Sequence, residues 1–115
     1  MVTYDMTQTP VINVVDDIIA YAVKQGASDI HFDPRDDYLL VRIRIDGDLR
    51  DYSQIPKMYE RNLITRIKLL ANMNITESRL PQDGSIKGKI KDVEVETRVS
   101  TLPTNEGEKC VIRIL

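Results

Sequence analysis

The sequence predicts an α+β domain, with two principal helices on a mainly antiparallel sheet of about six strands. Two kinds of apolar repeat carry that prediction, together with two hairpin turns. In residues 11–23 and 63–73 apolar side chains recur every three or four positions, the spacing of one helix face. In residues 29–33, 38–45, 86–90 and 93–99 they alternate, the spacing of strands with one buried face. Asp46-Gly47 and Lys91-Asp92 fall between paired alternating segments, where tight turns belong. The order is α-β-β-β-α-β-β-β, built on hairpins rather than βαβ units.

Residues 1–9 read as a loose lead-in segment. Thr9-Pro10 reads as a helix start, with Thr9 as N-cap and Pro10 at the first helical position. Val11, Val14, Val15, Ile18, Ile19, Ala22 and Val23 form the apolar face, Asp16 and Asp17 lie opposite, and Gly26 is the stop. In Asp29–Asp33, Ile30 and Phe32 share one side and Pro34 ends the strand. Next, Leu39, Val41, Ile43 and Ile45 point inward and Arg42 and Arg44 outward, and Asp48–Ser53 return after the turn. Pro56 opens the second helix, whose apolar face is Leu63, Ile64, Ile67, Leu70, Ala71 and Met73. Arg61, Arg66 and Lys68 form its solvated basic side, and it ends near Asn72–Asn74. A sharp turn is expected at Arg79-Leu80-Pro81-Gln82-Asp83-Gly84, since Pro fixes φ and Gly permits positive φ. Then Lys87, Lys89 and Lys91 on one strand face Glu94 and Glu96 on the next. Pro103 ends that hairpin, and Glu108–Leu115 form a last strand.

Composition narrows the function classes. The 115 residues, 42% apolar and 30% charged, suit one soluble domain with a modest core. A net charge of −2 lacks the basic excess of a dedicated nucleic-acid binder, and five Tyr, one Phe and no Trp offer little for base stacking. The lone Cys110 excludes an internal disulfide and suits a reducing cytoplasm; its strand setting points to a small buried apolar residue rather than a nucleophile. No stretch has the apolar core of a signal peptide or the roughly 20 apolar residues of a membrane span, so membrane association is expected only through partners.

Three groups of residues carry candidate chemistry. Asp29, His31 and Asp33 fall on one face of a strand and together have the donors for a divalent metal, as in a small metal-dependent hydrolase. No further acid or histidine completes that site, and the favoured reading is a polar strand face with no metal. Cys110 and His31 form the only nucleophile–base combination, in contexts unlike an active-site turn. Neither standard phosphate-cradling glycine loop occurs, so the chain alone is expected to bind no nucleotide cofactor. That leaves the arginines. Arg79, Arg98 and Arg113 lie in or beside the second half of the sheet. The plain reading of Arg98 is an ion pair with Glu94, Glu96 or another cross-strand acid; the functional one is a guanidinium supplied to a phosphate in another domain or subunit.

Several ordered motifs are similar to those of a known family. Gly26-Ala27-Ser28-Asp29-Ile30-His31-Phe32-Asp33-Pro34 resembles a signature of the secretion and pilus-assembly ATPases, and Arg42-Ile43-Arg44-Ile45-Asp46-Gly47 resembles their hairpin. Arg66-Ile67-Lys68, Ile75–Gly84, Arg98–Thr104 and Gly107-Glu108-Lys109 extend the match over nearly the whole chain. The family is the type II secretion and type IV pilus assembly ATPases (the GspE/PilB class). The resemblance covers the PAS-like domain called N2, here residues 10–115, which in the family precedes a RecA-like domain carrying the Walker motifs.

The resemblance implies an α+β, PAS-like fold and a part in a hexameric, cytoplasmic motor at the inner membrane. The domain would be inactive alone, pack on its own and neighbouring RecA-like domains, and work with an inner-membrane platform protein. ATP and Mg²⁺ would sit in the missing domain, with basic residues of N2 reaching the phosphates. Arg98 matches its family position and leads the candidates, followed by Arg79, Arg113 and Lys87. Asp29, His31, Arg42, Arg44, Asp46, Gly47, Gln82, Asp83 and Gly84 match a structural or interdomain signature. Most members carry Arg directly after the Pro-Gln-Asp-Gly motif, and here Ser85 stands instead. A stand-alone PAS-like ligand-binding module is the alternative function, and would need a roomy apolar pocket.

Overall fold

A computed structural model describes all 115 residues. The helical repeat forms α1 (Val11–Lys24), and the alternating segments form β1 (Asp29–Pro34), β2 (Tyr38–Ile45) and β3 (Asp48–Pro56). After a 3-10 turn over Lys57–Tyr59 come α2 (Glu60–Leu70), β4 (Gln82–Ile90), β5 (Val93–Thr104) and β6 (Gly107–Ile114). All five strand pairings are antiparallel, in the order β3-β2-β1-β6-β5-β4. The two helices cover one face. Val14, Val15, Ile18 and Ile19 of α1 and Leu63, Ile64 and Ile67 of α2 meet Ile30, Phe32, Ile43, Val95, Val99 and Ile112 of the sheet in one core. The other face is open, and alternation sends most charged side chains of the central strands there, Glu108 of β6 excepted, which meets Lys68 on the helix side. The fold is therefore α+β, as the sequence predicts.

Asp46 (φ 53°) and Gly47 (φ 78°) make the first hairpin turn, and Lys91 (φ 49°) and Asp92 (φ 64°) make the second without a glycine. Both have the left-handed pair of a type I′ turn, whose twist matches the flanking strands.

Several expectations are corrected. Thr9 makes no capping bond; Pro10 occupies the N-cap position and α1 begins at Val11. Pro56 ends β3 and opens the 3-10 turn rather than the helix itself, and α2 stops at Leu70. Pro103 lies within β5, next to the β4 edge of the sheet and opposite Glu108 near the hairpin's close. Lys68 is not on a solvated side: it is 2% exposed, with Nζ donating to the Glu77 carbonyl at 2.5 Å and to Glu108 Oε1 at 2.8 Å. The first residues are tied down. Val2 N–H donates to the Tyr52 carbonyl at 2.7 Å, Ser53 Oγ donates to the Val2 carbonyl, and Tyr4 OH donates to Asp17 at 2.6 Å.

The expected sharp turn at Arg79–Gly84 is shorter than its motif. Gln82, Asp83 and Gly84 already belong to β4, and Gly84 has no positive φ. Glycine is needed there because the end of α2 crosses β4 closely. A Cβ on Gly84 would stand 2.5 Å from the Ala71 carbonyl oxygen and 3.2 Å from the Ala71 Cβ. Since the nearest obstacle is backbone, Gly84→Ala is expected to cost about 1–3 kcal/mol. The urea midpoint measures this, and an unchanged midpoint would show that the α2 end yields freely.

Candidate anion-binding face of the sheet

The hairpin turns fix which open-face residues become neighbours. Counting back from Lys91-Asp92 sets Ser85 opposite Arg98, and counting from the Thr104–Gly107 turn sets Arg98 opposite Arg113. Arg113 is opposite Asp29, and Asp29 is opposite Arg44. One row therefore crosses five strands: Arg44, Asp29, Arg113, Arg98, Ser85.

The two halves of this face differ in charge balance. On the β1–β2 half each arginine has a carboxylate. Arg42 donates through Nε (2.8 Å) and Nη2 (2.6 Å) to Asp33 Oδ2, while Lys109 Nζ lies 3.3 Å from Asp33 Oδ1. Asp29 Oδ1 accepts from Ser28 Oγ at 2.6 Å and from Arg44 Nε at 3.2 Å. Asp29 Oδ2 accepts from His31 Nε2 at 2.5 Å and from the same Arg44 Nε at 3.3 Å. Burial pushes the Asp29 carboxyl up, but the donors from Ser28, His31 and Arg44 outweigh it and hold the group below the usual carboxylate range. Arg44 Nη1 also donates to the Gly47 carbonyl at 3.1 Å, tying the Asp46-Gly47 turn to the face.

On the β5–β6 half the arginines are unbalanced. Arg98 and Arg113 are exposed register partners, and neither has a carboxylate within ion-pair distance. The expected pairing of Arg98 with Glu94 or Glu96 does not form, because the register gives those acids to Lys89 and Lys87. Like charges placed directly opposite are unfavourable in a sheet. Arg98 and Arg113 share a hollow of about 220 Å³ with Asp83, Ser100 and Val111. Arg98 also borders a wider one of about 620 Å³ with Ser85, Lys87, Glu96 and Leu115. Two guanidiniums can meet an anion in the smaller hollow, and Arg98 with Lys87 in the wider one; Asp83 lines both and Glu96 the wider.

The remaining candidates fall elsewhere. Arg79 stands in the loop before β4, 89% exposed and 3.6 Å from Glu77, outside the row. Gln82 is structural: its Oε1 accepts from Asn74 N–H, and its Nε2 donates to the Asn74 and Glu77 carbonyls. Asp29, His31 and Asp33 share the face, but each carboxylate is turned to cations, and no three His, Cys, Asp or Glu residues converge as a metal site. Cys110 is fully buried; desolvation, then the Glu108 charge, pushes its thiol up, so it stays protonated. The sequence reading missed the Arg98–Arg113 adjacency, though the two turns already encode it. It also missed the buried Lys68–Glu108 pair, for which an i, i+3 helical pattern gives no signal.

This architecture and its motifs find relatives. The family model described as type II/IV secretion system protein matches residues 5–115. The chain belongs to that family. It is similar to the type IV pilus assembly ATPase PilB of Thermus thermophilus, 46% identical over 88% of this chain and 11% of the relative. It is also similar to the type II secretion system protein E of Xanthomonas campestris pv. campestris, 44% identical over 95% of this chain and 19% of the relative. The chain thus spans less than a fifth of either family member. Among solved structures, the Legionella pneumophila ATPase DotB superposes with a TM-score of 0.62 at 13% identity, covering 90% of this chain and 29% of DotB. The pilus retraction motor PilT with bound ADP gives 0.56 at 21% identity, covering 85% of this chain and 28% of PilT. At those identities the likeness is one of fold. No helix here is long and apolar enough to cross a membrane.

Proposed function

We propose that this chain is the N2-type domain of a hexameric motor ATPase that powers type IV pilus assembly or type II protein secretion. It packs on its own and neighbouring RecA-like domains in the cytoplasm, at the inner membrane, beside a platform protein. It supplies guanidinium groups to nucleotide phosphates held with Mg²⁺ in the RecA-like domain. The observation that carries this reading is the Arg98–Arg113 pair, like charges opposed in register with no acid between them. A planar guanidinium meets phosphate oxygens in a fork, and two side by side fit a polyphosphate better than a single carboxylate. Ser85 opposite Arg98 leaves the family's usual arginine position without a cation, and Arg113, on the other side of Arg98, takes that part.

The stand-alone ligand-binding reading is not favoured, because the space between helices and sheet is filled by the core. The largest hollow, about 650 Å³ between α2 and the β5–β6 turn, has two apolar residues among its twelve. The chain alone is expected to show no micromolar site for ATP with Mg²⁺ by calorimetry and no ATP turnover, since it has no loop of backbone N–H groups to cradle the phosphates. A saturable micromolar site for ATP in the 115-residue chain would overturn this division of labour, whereas weak, millimolar contact of an anion with the arginines would not.

A further inference from the structure

Arg113 has a carboxylate neighbour and does not take it. It lies opposite Asp29 across the β1–β6 pairing, just as Arg44 lies opposite Asp29 across β1–β2, yet only Arg44 is bonded. The reason is that Asp29 is already held on both oxygens. Three donors engage both of its oxygens: Ser28 Oγ at Oδ1, His31 Nε2 at Oδ2, and the one Arg44 Nε–H, shared between the two at 3.2 and 3.3 Å. Asp29 is itself only 9% exposed, so a further donor has little room to approach it.

We propose that Ser28, His31 and Arg44 are positioning residues: by engaging both oxygens of Asp29 they hold it away from Arg113 and leave that guanidinium beside Arg98 for a polyphosphate. This rests on the phosphate reading of the β5–β6 half of the face. It also gives a physical task to the Ser28-Asp29-Ile30-His31 stretch and to Arg44, which stand on the opposite half. Removing one of these donors lets the Asp29 carboxylate turn toward Arg113 across the β1–β6 pairing and form the ion pair now absent. The loss of one charge-assisted bond to the anion then weakens binding roughly threefold to tenfold.

The test follows the arginine Nε–Hε resonances of the ¹⁵N-labelled 115-residue chain, with inorganic tripolyphosphate as the probe. Ser28→Ala removes a donor from Asp29 without changing the charge of the face. Its Arg113 resonance is expected to shift and its hydrogen exchange to slow before any anion is added, while Arg98 stays in place. The tripolyphosphate Kd should rise by the factor above, and Ser28→Ala/Asp29→Asn should restore both readouts. Arg44→Ala is the second variant, and Arg44→Ala/Asp29→Asn returns the face to the wild-type net charge. A general loosening of the fold would not be rescued by Asp29→Asn. If neither arginine of the wild-type chain responds to tripolyphosphate, the phosphate reading fails and this proposal with it. If both respond but Arg113 is unmoved in Ser28→Ala and Arg44→Ala, this proposal alone is overturned.

Discussion

Arg98→Ala in the full-length motor is expected to lower ATP turnover by roughly a hundredfold or more and to leave this domain folded. A guanidinium that reaches the γ-phosphate stabilises charge spread over its equatorial oxygens, and such groups are worth about 10³–10⁵ in rate in well-studied nucleotidases. The fold loses little in exchange. Arg98 is exposed, sits on a strand surface and has no ion-pair partner to orphan. Removing it also relieves its opposition to Arg113, so the melting temperature should hold or rise slightly. Arg98→Lys keeps the charge but loses the fork, and partial recovery is expected. Ser85→Arg restores a cation opposite Arg98 and is expected to raise turnover. The measurement is turnover set against melting temperature. Turnover near wild type would make Arg98 an idle surface charge. A joint collapse would make its role structural and move the phosphate contact to Arg79, Lys87 or Arg113.

The sheet was legible because its two periodicities are clean and its turns are short. Once Asp46-Gly47 and Lys91-Asp92 are placed, the pairings of β2 with β3 and of β4 with β5 follow by counting, apart from the bulge at Val41/Arg42. The β1–β6 pairing was not legible, because it joins segments about eighty residues apart and no local signal specifies it. The candidate site inherits that division. That Arg98 points to the open face follows from alternation. That Arg113 stands between Arg98 and a carboxylate already engaged by Ser28, His31 and Arg44 depends on the long-range pairing. Gly84 shows the same limit: composition suggested a turn, whereas the cause is the tertiary approach of the Ala71 carbonyl. Lys68 shows it again, since helical spacing places it beside the apolar stripe but cannot say that Glu108 waits there.

Lys68→Ala is expected to be the most destabilising single change on the helical side, at about 3–5 kcal/mol, a large part of the roughly 5–15 kcal/mol that holds a domain of this size together. Lys68 Nζ is the donor that satisfies Glu108 Oε1, and the other oxygen, Oε2, is already buried without a partner. Without the ammonium the carboxylate is a buried, uncompensated charge, which costs more than the ion pair itself contributes. The Glu77 carbonyl suffers less, because Gln82 Nε2 still donates to it at 3.1 Å. Replacing both ends with apolar residues of similar size, Lys68→Met with Glu108→Leu, removes the charge along with its partner and is expected to recover most of the loss. Urea unfolding of the two single variants and the double variant closes a double-mutant cycle, and a large coupling energy is the expected result. Losses that simply add would mean that water reaches Glu108 from the hollow lined by Glu60, Lys68 and Thr104, so that the pair is screened rather than buried. Because Lys68 also anchors the loop that leads into β4, hydrogen exchange should quicken through residues 74–82 in Lys68→Ala and remain slow across β1 and β6.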